Sequence, residues 1–157
     1  MRSKILVLIL GIFLVVGSLT GCFRQNFEFQ IGETQSTKWF DFTVHSIEKV
    51  DSYVGHELAD DYEIYKVDIT LKNTFEAIIP MGTFDFYMND PVFWRPSWPI
   101  APLDDTMMPE EFDLRPNQTV RYIMIFEVPT IHTNLAFVYT EFDANEKEGN
   151  TFTIFVE

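Results

Sequence analysis

Cysteine is all but missing from this chain. Its 157 residues hold one, Cys22, so no disulfide can form within it and the fold rests on its core alone. Glycine is scarce as well, at seven residues, and neither a glycine-rich phosphate loop nor a Gly-x-Ser-x-Gly elbow is present. Positive charge is the third shortage: 11 Lys and Arg stand against 24 Asp and Glu, for a formal net charge of -13. Such a surface repels phosphate backbones, which excludes nucleic acid as a partner. An anionic membrane surface would push the folded domain off rather than hold it flat. A cationic partner or a metal ion is compatible with this charge but not implied by it, and solubility explains it as well. Nothing in the composition implies a cofactor.

Aromatic residues are abundant instead. The chain has 16 Phe and is 46% hydrophobic and 16% aromatic, which is globular, and its length suits one domain rather than two. Rigid aromatic side chains fit the half-buried face of a pleated sheet better than a helix bundle. They also answer the need for a core that no disulfide supports.

Arg2 and Lys4 precede an apolar run from Ile5 to Val16, followed by Gly17, Ser18, Leu19, Thr20 and Gly21. That is the order of a secretory signal. As a helix the run would reach roughly 18 Å at ~1.5 Å per residue, short of the ~30 Å hydrocarbon core. Leu19-Thr20-Gly21-Cys22 resembles the lipobox of bacterial lipoproteins, in which the thiol accepts diacylglycerol and the leader is cut just before the cysteine. The resemblance implies a signal peptide over residues 1–21, cleavage between Gly21 and Cys22, and fatty chains of the palmitate type on Cys22. It also implies a mature protein held at the outer face of a bacterial cell membrane. The alternative is an ordinary secretory signal with an incidental cysteine. Two or more acyl chains anchor durably, where one gives only reversible binding.

Residues 22–38 read as a tether with one possible short strand, Phe27 to Ile31, and residues 39–157 as the folded domain. Phe40, Phe42 and Val44 alternate with Asp41, Thr43 and His45, and Tyr65, Val67, Ile69 and Leu71 alternate with Lys66, Asp68, Thr70 and Lys72. Further strands are expected over Thr83 to Met88 (Phe84, Phe86 and Met88 inward), Arg121 to Val128, Leu135 to Phe142 and Thr151 to Val156. Arg121 to Val128 is apolar on both faces and is expected mid-sheet. Gly55 to Glu63 is expected to hold one helical turn or an acidic loop. No stretch after the leader keeps a helical period. Several short strands divided by turn signals predict an all-β, immunoglobulin-like β-sandwich, with a closed barrel as its rival.

The order of Lys66-Val67-Asp68-Ile69-Thr70-Leu71-Lys72-Asn73-Thr74, Phe84-Asp85-Phe86, Leu114-Arg115-Pro116-Asn117-Gln118-Thr119-Val120 and Ile125-Phe126-Glu127-Val128-Pro129 is similar to a family. It resembles the uncharacterised bacterial lipoproteins with a telokin-like, immunoglobulin-like domain, related to a secreted immunoprotective mycobacterial antigen. The resemblance runs from Trp39 to Glu157 and implies the fold and the extracytoplasmic location, but no activity or ligand. Asn117 stands where the family usually has Gly, and Asn89 to Pro109 is a long insert. Asn, like Gly, tolerates positive φ.

Residues that could carry chemistry are few. His45, His56 and His132 are widely spaced, match no metal pattern and read as surface residues. Asp104, Asp105, Glu110, Glu111 and Asp113 crowd one loop and could offer oxygen ligands to Ca²⁺, although the spacing is not that of an EF-hand and a solvated acidic loop is the plainer reading. Phe93-Trp94-Arg95-Pro96-Ser97-Trp98-Pro99 cannot form a regular element. Its rings, Phe93, Trp94 and Trp98, are either a plug buried across one end of the sandwich or an exposed platform for a protein partner or a sugar ring. The expectation is a membrane-anchored binding or accessory module of the cell envelope, not an enzyme, presenting Asn89 to Asp113 to a protein or envelope polymer. The rival readings are an envelope hydrolase using carboxylates such as Asp105 and Glu110, and a Ca²⁺-dependent structural protein.

Overall fold

The computed structural model describes residues 24–56, 58–93, 95–142 and 147–156. The leader, with Gly21 and Cys22, and Trp94 lie outside these residues.

The clearest alternations become the longest strands. β3 (Phe40–Val50) buries Phe40, Phe42 and Val44, and β4 (Tyr62–Asn73) buries Val67, Ile69 and Leu71. They pair antiparallel with Phe42 opposite Leu71. A bulge between Val44 and Ser46 shifts the register, so that Ile47 rather than Ser46 turns to the core. β2 (Thr34–Ser36) and β8 (Thr119–Pro129) complete a sheet of order β2-β3-β4-β8. The second sheet contains β1 (Asn26–Glu28), β6 (Phe86–Asn89), β9 (Ala136–Phe142) and β10 (Glu148–Phe155) in the order β1-β10-β9-β6. β5 (Ile79–Met81) and β7 (Phe112–Leu114) form a separate ribbon. Two open sheets packed face to face make an immunoglobulin-like sandwich, and the barrel is set aside.

Phe42 is the centre of the core. Its ring lies 5.5 to 6.1 Å from those of Phe29, Phe40, Phe86, Tyr139 and Phe152, which belong to both sheets and to the link between β1 and β2. Most of these pairs meet edge to face, the geometry that ring quadrupoles favour.

Four local expectations change. Residues from Asn26 to Ser36, expected within the tether, supply two edge strands, one to each sheet, and the chain crosses between the sheets through buried Phe29. Phe84, expected inward, is 52% exposed. Thr83–Asp85 is a 3-10 turn rather than strand, and only from Phe86 does the two-residue alternation begin. Tyr53 to His56 closes as a tight turn with Val54 and Gly55 at positive φ, and Tyr62 and Glu63 already belong to β4.

The fourth is β8, which lies at the edge of its sheet, not in the middle. Its apolar outer residues are covered by the insert. Ile100 N–H donates to the Ile125 carbonyl at 2.9 Å, Met108 N–H to the Ile123 carbonyl at 2.9 Å, and Ile123 N–H to the Thr106 carbonyl at 2.9 Å. Met107, Ile64 and Ile125 then form a small second core on the outer side of this sheet. Ser97 exchanges backbone bonds of 2.9 and 2.7 Å with Met88 of β6. The insert is therefore an irregular strap that closes the edges of both sheets, and it satisfies backbone groups an open edge would leave exposed. The turn Arg115-Pro116-Asn117-Gln118 has Asn117 at φ 62 and is closed by Gln118 N–H to the Arg115 carbonyl at 2.9 Å. That is the type II geometry, with Pro second and a residue tolerant of positive φ third.

Candidate binding surfaces

The strand registers define two ends. β3, β8 and β6 begin, and β4 and β9 finish, at the end that also holds Arg24 and the start of β1 and β10. The opposite end carries the exit of β6 at Asn89, the 130–135 loop between β8 and β9, and the loop between β3 and β4.

At this opposite end the sequence places an Asp before a Pro, and Asp90 folds back on its own backbone: its Oδ1 accepts the Val92 N–H at 2.8 Å. Its Oδ2 accepts the N–H groups of Thr133 at 3.0 Å and Asn134 at 3.2 Å. The side chain is wholly buried. Burial alone would raise its pKa, but the Val92, Asn134 and Thr133 N–H donors, with nearby His132, outweigh it and hold the carboxyl below the usual carboxylate range. One carboxylate thus fastens the 90–93 turn to the 130–134 loop. On these two loops Val92, Phe93 and Ile131 are 66%, 42% and 63% exposed.

Because the folded carboxyl has the lower pKa, its stabilising effect is present above the unfolded value of about 4. It is lost as pH falls through the folded value. Thermal unfolding from pH 7 to pH 2 is expected to show Asp90→Asn less stable than the parent at neutral pH, with the gap closing below about pH 4. A gap that stays constant across that range would show that the charge of Asp90 does not hold the loops.

The three histidines differ. His45 is exposed and bonds Thr70 Oγ1 at 2.8 Å, and His56 is half-buried with its Nε2 2.5 Å from Glu127. His132, expected at the surface, is buried: the Phe93 ring stands edge-on to it at 5.2 Å. Its Nδ1 is 3.7 Å from Asp90 Oδ2, beyond hydrogen-bond reach, and has no other partner among the described residues. A sequence scan for ligand spacing could not see this, since the ring is buried by residues forty positions away.

The two described rings of the aromatic segment, Phe93 and Trp98, are both partly exposed and lie apart. Phe93 belongs to the loop end just described. Trp98 lies on the outer face of the second sheet, 48% exposed, with its ring 5.4 Å from that of Tyr87. Beside it runs a groove of about 370 Å³ lined by Arg24, Phe84, Tyr87 and Phe142.

The acidic loop is dispersed by the fold. Asp104 is an Asx cap, its Oδ1 accepting the Thr106 and Met107 N–H groups at 2.8 and 3.2 Å. The Thr106 hydroxyl and N–H hold its carboxyl below the usual range. Asp105 is exposed, and Glu110, Glu111 and Asp113 line an open groove beside the β5–β7 ribbon together with Asp85. Among the described residues no three His, Cys, Asp or Glu side chains gather as a metal site would require.

No family model matches the chain, and no protein of curated function matches it by sequence. Among solved structures, a lipoprotein candidate of Bacillus subtilis, ycdA, is similar with a TM-score of 0.58 and 18% identity. The match covers 78% of this chain and 38% of ycdA, so the chain spans well under half the length of that protein. An uncharacterised β-sandwich protein of Clostridium difficile is similar with a TM-score of 0.56 and 16% identity, over 86% of this chain and 97% of that one. MPT63, a secreted protein of Mycobacterium tuberculosis, is similar with a TM-score of 0.59 and 6% identity, over 84% and 98%. These likenesses show the fold: this is a β-sandwich of a kind that bacterial proteins of unknown function share.

Proposed function

We propose that the chain is an extracytoplasmic lipoprotein, cut after Gly21 and anchored by acyl chains on Cys22. Its sandwich serves as a binding or accessory module of the cell envelope, without catalysis. The charged start, short apolar run and Leu19-Thr20-Gly21-Cys22 support the anchor, and the shared fold of a lipoprotein candidate and a secreted protein agrees with it.

One observation carries the binding role. The buried Asp90 carboxylate locks two loops so that Val92, Phe93 and Ile131 stand out at the end opposite Arg24. Apolar side chains held rigidly on fixed loops lose little entropy when a partner covers them. The partner is a protein or an envelope polymer presented to that end.

Neither side chain of the double change Phe93→Asp with Ile131→Asp belongs to the hydrophobic core, and thermal unfolding checks that losing the ring beside His132 leaves the fold in place. The double change is expected to cut the partner recovered by crosslinking in intact membranes about tenfold or more, the cost of truncating central anchor residues. An unchanged crosslinking pattern would remove this end as the binding surface. Separately, Cys22→Ser is expected to give unacylated protein with its leader attached, and recovery of the normal mature form would end the anchoring claim.

A further inference from the structure

A second exposed apolar surface lies beside Arg24, and the place where the chain leaves the domain says what covers it. The start of the described chain is fixed. The Arg24 guanidinium pairs with the Glu148 carboxylate, the Gln25 N–H donates to Asn150 Oδ1 at 3.3 Å, and the Gln25 carbonyl accepts the Thr151 N–H at 2.9 Å. Cys22 stands two residues before Arg24, so their Cα atoms are at most about 7 Å apart however the link runs. Around Arg24, in one groove, Phe84, Trp98 and Phe142 are 52%, 48% and 54% exposed. Tyr87 turns its hydroxyl to Thr140 at 3.3 Å while its ring meets Trp98.

We infer that this face docks on the bilayer, with Phe84, Trp98 and Phe142 entering the interfacial layer. The inference rests on the reading of Cys22 as acylated. A polar interface on each side of the membrane is roughly 5–7 Å deep, so lipid on Cys22 brings Arg24 and its groove to the level of the headgroups. Trp settles at that level, and Phe on an apolar face enters the boundary between headgroups and acyl chains. Of the charges lining the groove, Arg24 and Glu148 neutralise each other and Asp85 remains. The carboxylates of Glu110, Glu111 and Asp113 line a neighbouring groove instead. Ile131, on the 130–134 loop, is not part of this groove.

The test uses the full lipidated protein in phosphatidylcholine vesicles, whose zero net charge leaves the acidic domain unrepelled. An environment-sensitive fluorophore is attached at Trp98→Cys, at Phe142→Cys, or at Ile131→Cys on the opposite end, and mass spectrometry of the same samples reads the acylation of Cys22. The label at 98 and at 142 is expected to shift to the blue and brighten at least about twofold on reconstitution, as for a ring moved into the interface, while the label at 131 stays in water. Acylated protein whose labels at 98 and 142 stay in water would overturn docking and leave the anchor standing. Labels that become dry only in native membranes would overturn it in favour of a protein partner on this face. A Cys22 found without acyl chains would overturn both.

Discussion

Phe42→Ala is expected to cost about 4 kcal/mol of folding free energy, within the range for truncating a buried aromatic ring. Phe42 is only 1% exposed, and five rings surround it. They belong to β1's exit, β3, β6, β9 and β10, so no single element can move to fill the space. The loss has two parts, the transfer of the ring's apolar area and the cavity that rigid aromatic neighbours leave open. Denaturant unfolding of parent and variant measures it. A domain of ordinary stability has about 5–15 kcal/mol in all, so much of the variant could unfold at moderate temperature. Phe42→Leu, which keeps much of the volume, should lose less than half as much. Equal losses for the two variants would show that the ring contacts are not what Phe42 contributes.

Asn73→Ala is expected to cost about 2 kcal/mol, for polar rather than apolar reasons. Asn73 is wholly buried at the end of β4. Its Nδ2 donates to the carbonyls of Ala77 at 2.9 Å and Leu114 at 2.8 Å, and its Oδ1 accepts the Phe75 N–H at 2.7 Å. Its backbone also meets the 115–118 turn, its N–H donating to the Gln118 carbonyl at 3.0 Å and its carbonyl accepting the Asn117 N–H at 3.2 Å. Alanine keeps the backbone bonds but strands the buried Leu114 carbonyl, at about 1 kcal/mol or more, while the Ala77 carbonyl and Phe75 N–H, on exposed residues, lose less because water reaches them. Asn73→Asp should be at least as harmful at neutral pH, because a carboxylate can accept from Phe75 but turns lone pairs towards two carbonyls. A loss under about 1 kcal/mol for the alanine variant would mean that water takes up the stranded groups.

Asn73 also shows what could be read in advance and what could not. Its place at the end of the Lys66 to Asn73 block marks it as the residue where a strand stops. That it is a buried hub depends on Ala77 and on Leu114, 41 positions away, and no local pattern encodes that partner. Phe84 is the reverse case. Phe84, Phe86 and Met88 alternate as a strand should, yet Gly82 packs against the Glu110 backbone, where an added Cβ would stand 2.0 Å from the carbonyl oxygen. The chain turns there before it extends. Two-residue periodicity reports which side chains share a face once a strand exists, but not where it begins.

Much of the candidate surface was visible only in pieces. Phe93 and Trp98 stood out as aromatics among prolines, but the strap separates them, sending one to the loop end with Ile131 and the other to the groove with Phe84, Phe142 and Arg24. The edge position of β8 misled for a physical reason. A strand covered on both faces reads as apolar on both, whether its cover is another sheet or an irregular segment such as 98–108.

By itself, the order of residues determined the all-β class, the inward sets on β3 and β4, a residue tolerant of positive φ at Asn117, and a core that must work without disulfides. These follow from alternation, turn chemistry and composition, which act between neighbours in the chain. Tertiary structure alone decided the pairing of sheets, the strap across β6 and β8, the burial of His132 and Asp90, and the separation of a loop end from the face beside Arg24. Each of those depends on contacts between residues dozens of positions apart, and close packing selects among them only when the whole chain is folded.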